Sequence, residues 1–393
     1  MRIFNKDYSV VVAMLMLPEE FEVAKIAVES VINSVINESN VLIVILLNGK
    51  NDKKIINYFN LQPKVKIYCL NKNLGVSQGR NYLFKQPEVI TADIILSIDS
   101  DSYLPIDYVR EMCKFLCSQV KAGIVGPTMI MAKDAKKLLN INFNKRVDKI
   151  RAAKVTSKTI KDAWMLSKNR DSLYHMGIKH WFILYCSKSL YFLTQIINLL
   201  NKKKIIKKKI ILHIKEDPKI VDYYKAGVKK IEVATVPGGG QVFFSKLLRE
   251  IGLLEPAFSP WGFEDSEFSI RALKAGKKNY TSLENWYIHG TKQKMQKKSK
   301  ARSKYTRSKY TMNKGKMILL RKIIDSKFLL LLLMIEHITW SFLVNLFNYN
   351  IGILATRSVQ EEFKGIYVGL TTKLSKKSTL INEAQQAYKK AAF

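Results

Sequence analysis

Asp99 and Asp101 stand one residue apart where the apolar run Ile94-Ile95-Leu96-Ser97-Ile98 stops. Two carboxylates around a serine offer hard oxygen donors of the kind that hold Mg²⁺ or Mn²⁺ against a diphosphate. On an extended segment residues i and i+2 point the same way, so both acids are expected to face one ligand. A turn held by Asx hydrogen bonds is the plainer reading of the tripeptide Asp99-Ser100-Asp101 taken alone. A second acidic group, Glu264-Asp265-Ser266-Glu267, opens a run with helical spacing through Arg271 and Ala275 to Gly276. The helix dipole favours acids in a first turn, which accounts for one or two of them but not for the preceding Trp261-Gly262.

The elements around these residues read as a parallel α/β sheet. An apolar run ending abruptly in acids is expected to be a buried strand, with its ligand beyond the carboxyl end. Residues 10–17 read as a first strand, and 21–36 as a helix with apolar positions at Phe21, Ala24, Val28, Val31, Ile32 and Val35. Residues 41–47 form a second strand ending at Asn48-Gly49, followed by a helix through Ile55 and Phe59 and a third strand over 65–70. Such strand–helix alternation gives a nucleotide-binding α/β half over about residues 8–130. Within it, Asn71 to Asn81 combines small residues that admit close backbone approach with Arg80, a cation near a helix start. Further on, Pro237-Gly238-Gly239-Gly240 precedes a segment expected to form a helix, and its glycines imply tight packing against a ligand or another strand.

The chain has 393 residues, 47% hydrophobic and 10% aromatic, which excludes a disordered protein and allows two domains or one elaborated domain. Lys and Arg number 66 against 32 acids, a net charge of +34, which favours a polyanionic partner or reflects a Lys-rich compositional bias. Cys69, Cys113, Cys117 and Cys186 lack zinc spacing, so a reducing compartment fits best. The charged start and the apolar run after it are too short for a leader, lack a small-residue cleavage site and meet Pro18-Glu19-Glu20 directly. Residues 133–231 form a basic insertion, in which the apolar stretch 180–200 precedes the lysine cluster 201–209. That pair reads either as an amphipathic element on an anionic membrane or as a buried helix and a solvated loop. Residues 232–291 form a second α/β part and 292–393 a helical, membrane-associated region. Within that region 328–347 is apolar for about the length that spans a bilayer, but Glu336, His337 and Asn345 interrupt it. It is read as a single spanning or an interfacial helix, with basic residues before it on the cytoplasmic side. The polar tail after Lys373 is expected to be disordered.

Taken in order, NLGVSQGRN (73–81), SIDSDS (97–102), GGGQVFF (238–244), WGFEDSEF (261–268) and YIHG (287–290) resemble a family 2 glycosyltransferase of the GT-A fold. The resemblance covers about residues 8–130 and 232–290, and YTMNKGKMILLRKI (310–323) is similar to the C-terminal part of bacterial rhamnosyltransferase-like members. It implies a Rossmann-like, mainly parallel sheet flanked by helices and a divalent Mn²⁺ or Mg²⁺. Asp101 would bind the metal, Asp99 would meet the donor and assist the metal, and His289 would be a third ligand. Asp265 would be the catalytic base, with Glu264 orienting it or meeting the acceptor. Leu17, Pro18, Glu19, Asn48 and Asn73 would lie about the nucleobase pocket, Gly79 and Arg80 near the base and diphosphate, and Ser100 with the metal-binding acids. Asn48-Gly49 replaces the acid usual after the second strand and leaves the base open between uracil and thymine. Gly239, Gly240, Trp261 and Gly262 would shape the acceptor site, an aromatic face suiting the C–H surface of a sugar, although core packing is the alternative for Trp261.

The implied reaction is inverting transfer from a UDP- or dTDP-sugar to a hydroxyl of a glycan or a polyprenyl- or lipid-linked acceptor. The setting implied is cell-envelope synthesis (capsule, O-antigen or lipopolysaccharide) at the cytoplasmic face of a bacterial inner membrane, with an anionic membrane surface as partner. A catalytically silent scaffold subunit is one rival, but it would have no need of Asp99, Asp101, Glu264 and Asp265 together. A nucleic-acid-binding protein is another, and the sequence has no zinc array, aromatic RNP motif or basic recognition helix. A nucleotidyltransferase would need a Gly-rich basic loop after the first strand, where this chain has Leu17-Pro18-Glu19. No nucleic-acid partner is expected.

Overall fold

The computed structural model describes residues 1–35, 38–132, 156–159, 161, 223, 226–290, 309–350 and 356–392. The stretches 180–200 and 201–209, and with them most of the basic insertion, lie outside the described residues, as does 291–308.

A small hairpin, β1 (Arg2–Ile3) and β2 (Lys6–Asp7), precedes β3 (Val10–Met16). Then follow α1 (Phe21–Ser34), β4 (Val41–Asn48), α2 (Lys53–Asn60), β5 (Val65–Leu70), α3 (Gly75–Phe84), α4 (Pro87–Ile90) and β6 (Ile94–Asp99). The expected α/β order is therefore met element by element, with ends within two residues. β3 shows why: Val10, Val12, Met14 and Met16 join the core cluster that holds Ala24, Ala27 and Val28 of α1. Val11 and Ala13 join the opposite cluster with Leu83 and Phe84 of α3. Every second side chain faces the same way, so a strand covered by helices on both faces must be apolar throughout. Removing such a side chain from water stabilises the fold by about 1.5–3 kcal/mol each.

β7 (Ser102–Tyr103), α5 (Tyr108–Cys117), β8 (Ala122–Met131), β9 (Lys230–Glu232), β10 (Gly240–Phe244), α6 (Lys246–Ile251), α7 (Glu264–Lys274) and β11 (Lys278–His289) complete the α/β part. The strands form one sheet in the order β5-β4-β3-β6-β10-β8-β11-β7, with β9 paired to β11. Its longest ladders are parallel: β3 with β4 and β6, β4 with β5, and β8 with β11. The segments before and after the basic insertion thus share a single sheet. Gly240–Phe244, expected to lead into a helix, is instead a strand, antiparallel to β6 from Gly240 opposite Ile98 to Phe244 opposite Ile94. Val242 and Phe243 are wholly buried there on opposite faces, and filling the gap between β6 and β8 outweighs any local helical preference.

Four helices follow: α8 (Lys309–Ile323), α9 (Lys327–Asn350), α10 (Thr356–Thr371) and α11 (Lys377–Ala392). Met317, Ile318, Leu319 and Leu320 of α8 share a core with Leu333 of α9, Ile366 of α10, and Phe258 and Ile270 of the α/β part. Gly365 and Gly369 let α10 lie directly on α8; a Cβ at either would fall 2.3 Å from the Tyr310 carbonyl oxygen or 2.6 Å from that of Lys314. The tail expected to be disordered is helix α11. Leu380 and Ala384 are buried, Leu253 donates its N–H to the Leu380 carbonyl at 3.3 Å, and the Arg249 guanidinium lies 3.9 Å from the Tyr388 ring centroid. The face that docks is made mostly of alanines with Leu380 and Tyr388, so its composition hides the contact. Among the described residues no helix is long and apolar enough to cross a membrane. On α9 the described side chains Phe328, Leu331, Leu332, Ile335, Phe342 and Leu343 are more than 45% exposed, while Leu333, His337 and Ser341 face inward.

Candidate active site

Strand pairing assembles the first acid group. β6 ends at Asp99, a turn carries Ser100 and Asp101, and β7 then pairs antiparallel with the end of β11, setting His289 opposite Ser102. Asp101 and His289 are drawn together from 188 positions apart, and the Asp101 carbonyl accepts the Gly290 N–H at 3.1 Å. The two acids do not lie on one extended segment as expected; the turn, rather than the i, i+2 alternation, makes them converge. Ligand atoms of Asp99, Asp101 and His289 all lie within 4.8 Å of one another. The His289 Nδ1 is buried, makes no hydrogen bond among the described residues and lies 3.6 Å from Asp101 Oδ1, too long for a hydrogen bond. Two carboxylates with an imidazole nitrogen turned toward them suit Mn²⁺ or Mg²⁺, so the three residues expected to hold a metal fit one.

Glu20, which sequence reasoning passed over, fixes the turn. Its buried carboxylate accepts the Ser100 hydroxyl at 2.5 Å and the Leu17 N–H at 3.1 Å. Ser100 therefore locks the acid turn to the loop after β3. The available signal was an acid closing the turn begun by Pro18, the position from which a side chain returns to a free N–H. Leu17 and Pro18 are half-buried beside it, and Glu19 is exposed.

The residues expected around a nucleobase divide. Asn48 is buried and its amide is engaged: it donates to Asn73 Oδ1 at 3.2 Å and to the Gly75 carbonyl at 3.1 Å, and accepts from the Leu74 N–H at 2.9 Å. It holds the loop before α3. Gly79 faces the sheet, where a Cβ would fall 2.9 Å from Leu15 Cδ1, so closeness of α3 to β3 explains it. Asn73 is exposed and caps the loop through the Gly75 N–H at 2.8 Å. Arg80 points inward, its Nη2 donating to Asp99 Oδ1 at 2.8 Å.

The second acid pair starts α7. Asp265 Oδ2 accepts the Gly238 N–H at 3.0 Å and Oδ1 the Ser266 N–H at 2.7 Å. Glu264 is buried and accepts the Gly262 N–H at 2.7 Å. Phe263 takes a left-handed conformation, φ 68°, to turn the chain into the helix. The glycine run packs against the first site: a Cβ on Gly239 would lie 2.4 Å from Asp99 Oδ2, and Gly240 pairs with Ile98. Tight packing was expected of these glycines, and the neighbours are a strand and the site's own side chains. Trp261 is half-buried in the loop before α7, whose Pro260 carbonyl accepts the Val76 N–H at 2.6 Å. The same loop rests on α8: Lys314 Nζ donates to the Ser259 carbonyl at 2.7 Å, and a Cβ at Gly315 would lie 2.9 Å from the Phe263 ring. Burial lowers the Lys314 pKa. This buttress was not legible as such, since nothing in the segment 310–323 names its partner.

Burial pushes the Glu264 carboxyl up to about 7; the Asp265 charge adds to the rise and the Arg80 guanidinium opposes it. A carboxyl that holds its proton more tightly in the folded state stabilises the fold below its unfolded value of about 4.5, and that contribution is lost as pH rises toward about 7. Glu264→Gln cannot ionise, so relative to the parent it should gain up to about 3 kcal/mol of stability between about pH 5 and about pH 8. Thermal melts of both proteins at the two pH values check this, and a difference that does not change with pH refutes it.

Residues 14–165 match the family described as Glycosyl transferase family 2. Two structures of S. aureus TarS 1-349, one of them in complex with UDP-GlcNAc, are 10% identical, with TM-scores of 0.44 and 0.49, over 98% of this chain and 88% and 89% of those chains. A structure of GalNAc-T7 with UDP, GalNAc and Mn²⁺ is 12% identical, with a TM-score of 0.47, over 80% of this chain. The chain spans 48% of the GalNAc-T7 chain, about half its length. No curated protein matches the sequence.

Proposed function

We propose that the protein is an inverting, metal-dependent glycosyltransferase that moves a sugar from a UDP- or dTDP-sugar to a hydroxyl of a cell-envelope glycan or lipid-linked acceptor. The observation that carries this reading is the division of its acids. Asp99 and Asp101 gather with His289 within 4.8 Å, while Glu264 and Asp265 start a different element. A bound Mn²⁺ or Mg²⁺ would be held by Asp99, Asp101 and His289 and would neutralise the departing diphosphate. Asp99 orients the donor, Ser100 and Glu20 hold the acid turn rigid, and Leu17, Pro18 and Asn73 line the nucleobase side, with Asn48 fixing the loop. Asp265 takes the proton of the acceptor hydroxyl as its oxygen attacks the anomeric carbon in line. Trp261 and Gly262 shape the acceptor site from a loop that α8 supports. Calorimetric titration with UDP-, dTDP- and GDP-sugars, with and without Mn²⁺, tests the reading. One donor should bind only with metal; failure of every donor to bind under either condition would reduce the likeness to one of fold.

The reading includes a peripheral position on the cytoplasmic face of a bacterial inner membrane, with residues 133–231 and 292–393 as regions that meet acceptor or lipid. Its support is the exposed apolar face of α9, beginning at the exposed Lys327, in a chain of net charge +34. The protein should sediment with phosphatidylglycerol vesicles at low salt and much less with phosphatidylcholine. A triple variant, Leu331→Glu, Ile335→Glu and Phe342→Glu, should stay in the supernatant. A parent protein that pellets with neither lipid would refute the membrane assignment.

A further inference from the structure

We propose that Arg80 is a positioning residue that couples Asp99, on the metal side of the site, to Glu264 at the start of the catalytic helix, so that a change at one acid is felt at the other. The inference rests on the glycosyltransferase reading of the two acid pairs.

Arg80 is 5% exposed, and a charge so buried must be held by opposite charge. Its two terminal nitrogens divide between two carboxylates: Nη2 donates to Asp99 Oδ1 at 2.8 Å, and Nη1 lies 3.8 Å from Glu264 Oε1. A planar guanidinium can serve two acids at once, whereas a lysine ammonium on the same stem is a point charge that serves one well. The glycine run closes the remaining space. A Cβ on Gly238 would lie 2.3 Å from Nη1, so the guanidinium rests directly on that backbone. The same Gly238 donates its N–H to Asp265 at 3.0 Å, and the next residue, Gly239, backs Asp99. Asp99, Asp265 and Arg80 therefore bear on the same two glycines, and Arg80 reaches Glu264 from that position.

The direction of the coupling follows from charge. With both acids ionised, Arg80 is shared, and its hold on Asp99 is diluted. Neutralising Glu264 leaves Asp99 as its remaining anionic partner in these contacts, so the guanidinium competes more strongly with a divalent cation for that carboxylate. Glu264 lies outside the metal-ligand group, so its substitution removes no ligand, and the part of its effect on metal affinity that passes through Arg80 is the part lost when Arg80 is replaced.

The test is the affinity of the full chain for Mn²⁺ alone, read from the paramagnetic resonance signal of free Mn²⁺ at about pH 8, where Glu264 is ionised. Glu264→Gln should weaken Mn²⁺ binding about tenfold. In an Arg80→Lys background the same substitution should change it by less than about twofold. Gly238→Ala, which displaces Nη1 without altering any charge, should blunt the effect likewise and serves if Arg80→Lys does not fold. An equal shift in every background, or none in the parent protein, overturns the coupling while leaving the metal site standing. A parent protein that takes up no Mn²⁺ overturns the metal reading and the coupling with it.

Discussion

Asp265→Asn is expected to lose sugar transfer by about 10²–10⁴-fold while still binding the donor with metal. The two N–H donors on its carboxylate, from Gly238 at 3.0 Å and Ser266 at 2.7 Å, aim the group without consuming all its lone pairs. Asparagine keeps the shape and one acceptor oxygen but cannot take a proton. Asp265 is half-buried where Glu264 is buried, so it is the member of the pair within reach of an incoming hydroxyl. Turnover and donor titration on the same preparation separate the two roles. Turnover close to that of the parent protein would remove Asp265 from the position of base, and loss of donor binding would assign it to the donor instead.

Asp101→Ala should abolish metal-dependent donor binding, an effect of at least about 10²-fold for loss of a charged ligand. Asp101 is the more buried of the two acids, with a side chain 8% exposed against 36% for Asp99, and its Oδ1 lies 3.6 Å from His289 Nδ1. Asp99 is also tied to Arg80, so its substitution would confound metal loss with displacement of the arginine. Asp101 is the cleaner probe. Metal-dependent binding that survived in Asp101→Ala would show that the carboxylate turn is a structural Asx turn after all.

The sequence was most informative where one element's own period decides its structure. Val10–Met16 and Val41–Asn48 are buried on both faces, and nothing but a covered parallel strand accommodates them. The acids at the end of β6 were legible for the same reason. What escaped were contacts that depend on a distant partner. Gly240–Phe244 is a strand because β6 and β8 leave a place for it, and that place is not encoded within the segment itself. The roles of Glu20 toward Ser100 and of Lys314 toward Ser259 are set by residues 80 and 55 positions away. Asn48 looked like a departure at a ligand-binding position, whereas its amide is engaged in holding the loop before α3.

The late arrival of β10 bears on how the molecule is made. Its register on β6 is complete only once residue 244 has left the ribosome, long after the carboxylates at 99 and 101. At about 5–20 residues per second that delay is roughly 7–30 s, during which β6 and β8 present bare, apolar edges. Nascent chains interrupted before this point should therefore be the ones that chaperones hold and that aggregate when chaperones are scarce. Solubility of chains arrested on either side of residue 244 would reveal a threshold there.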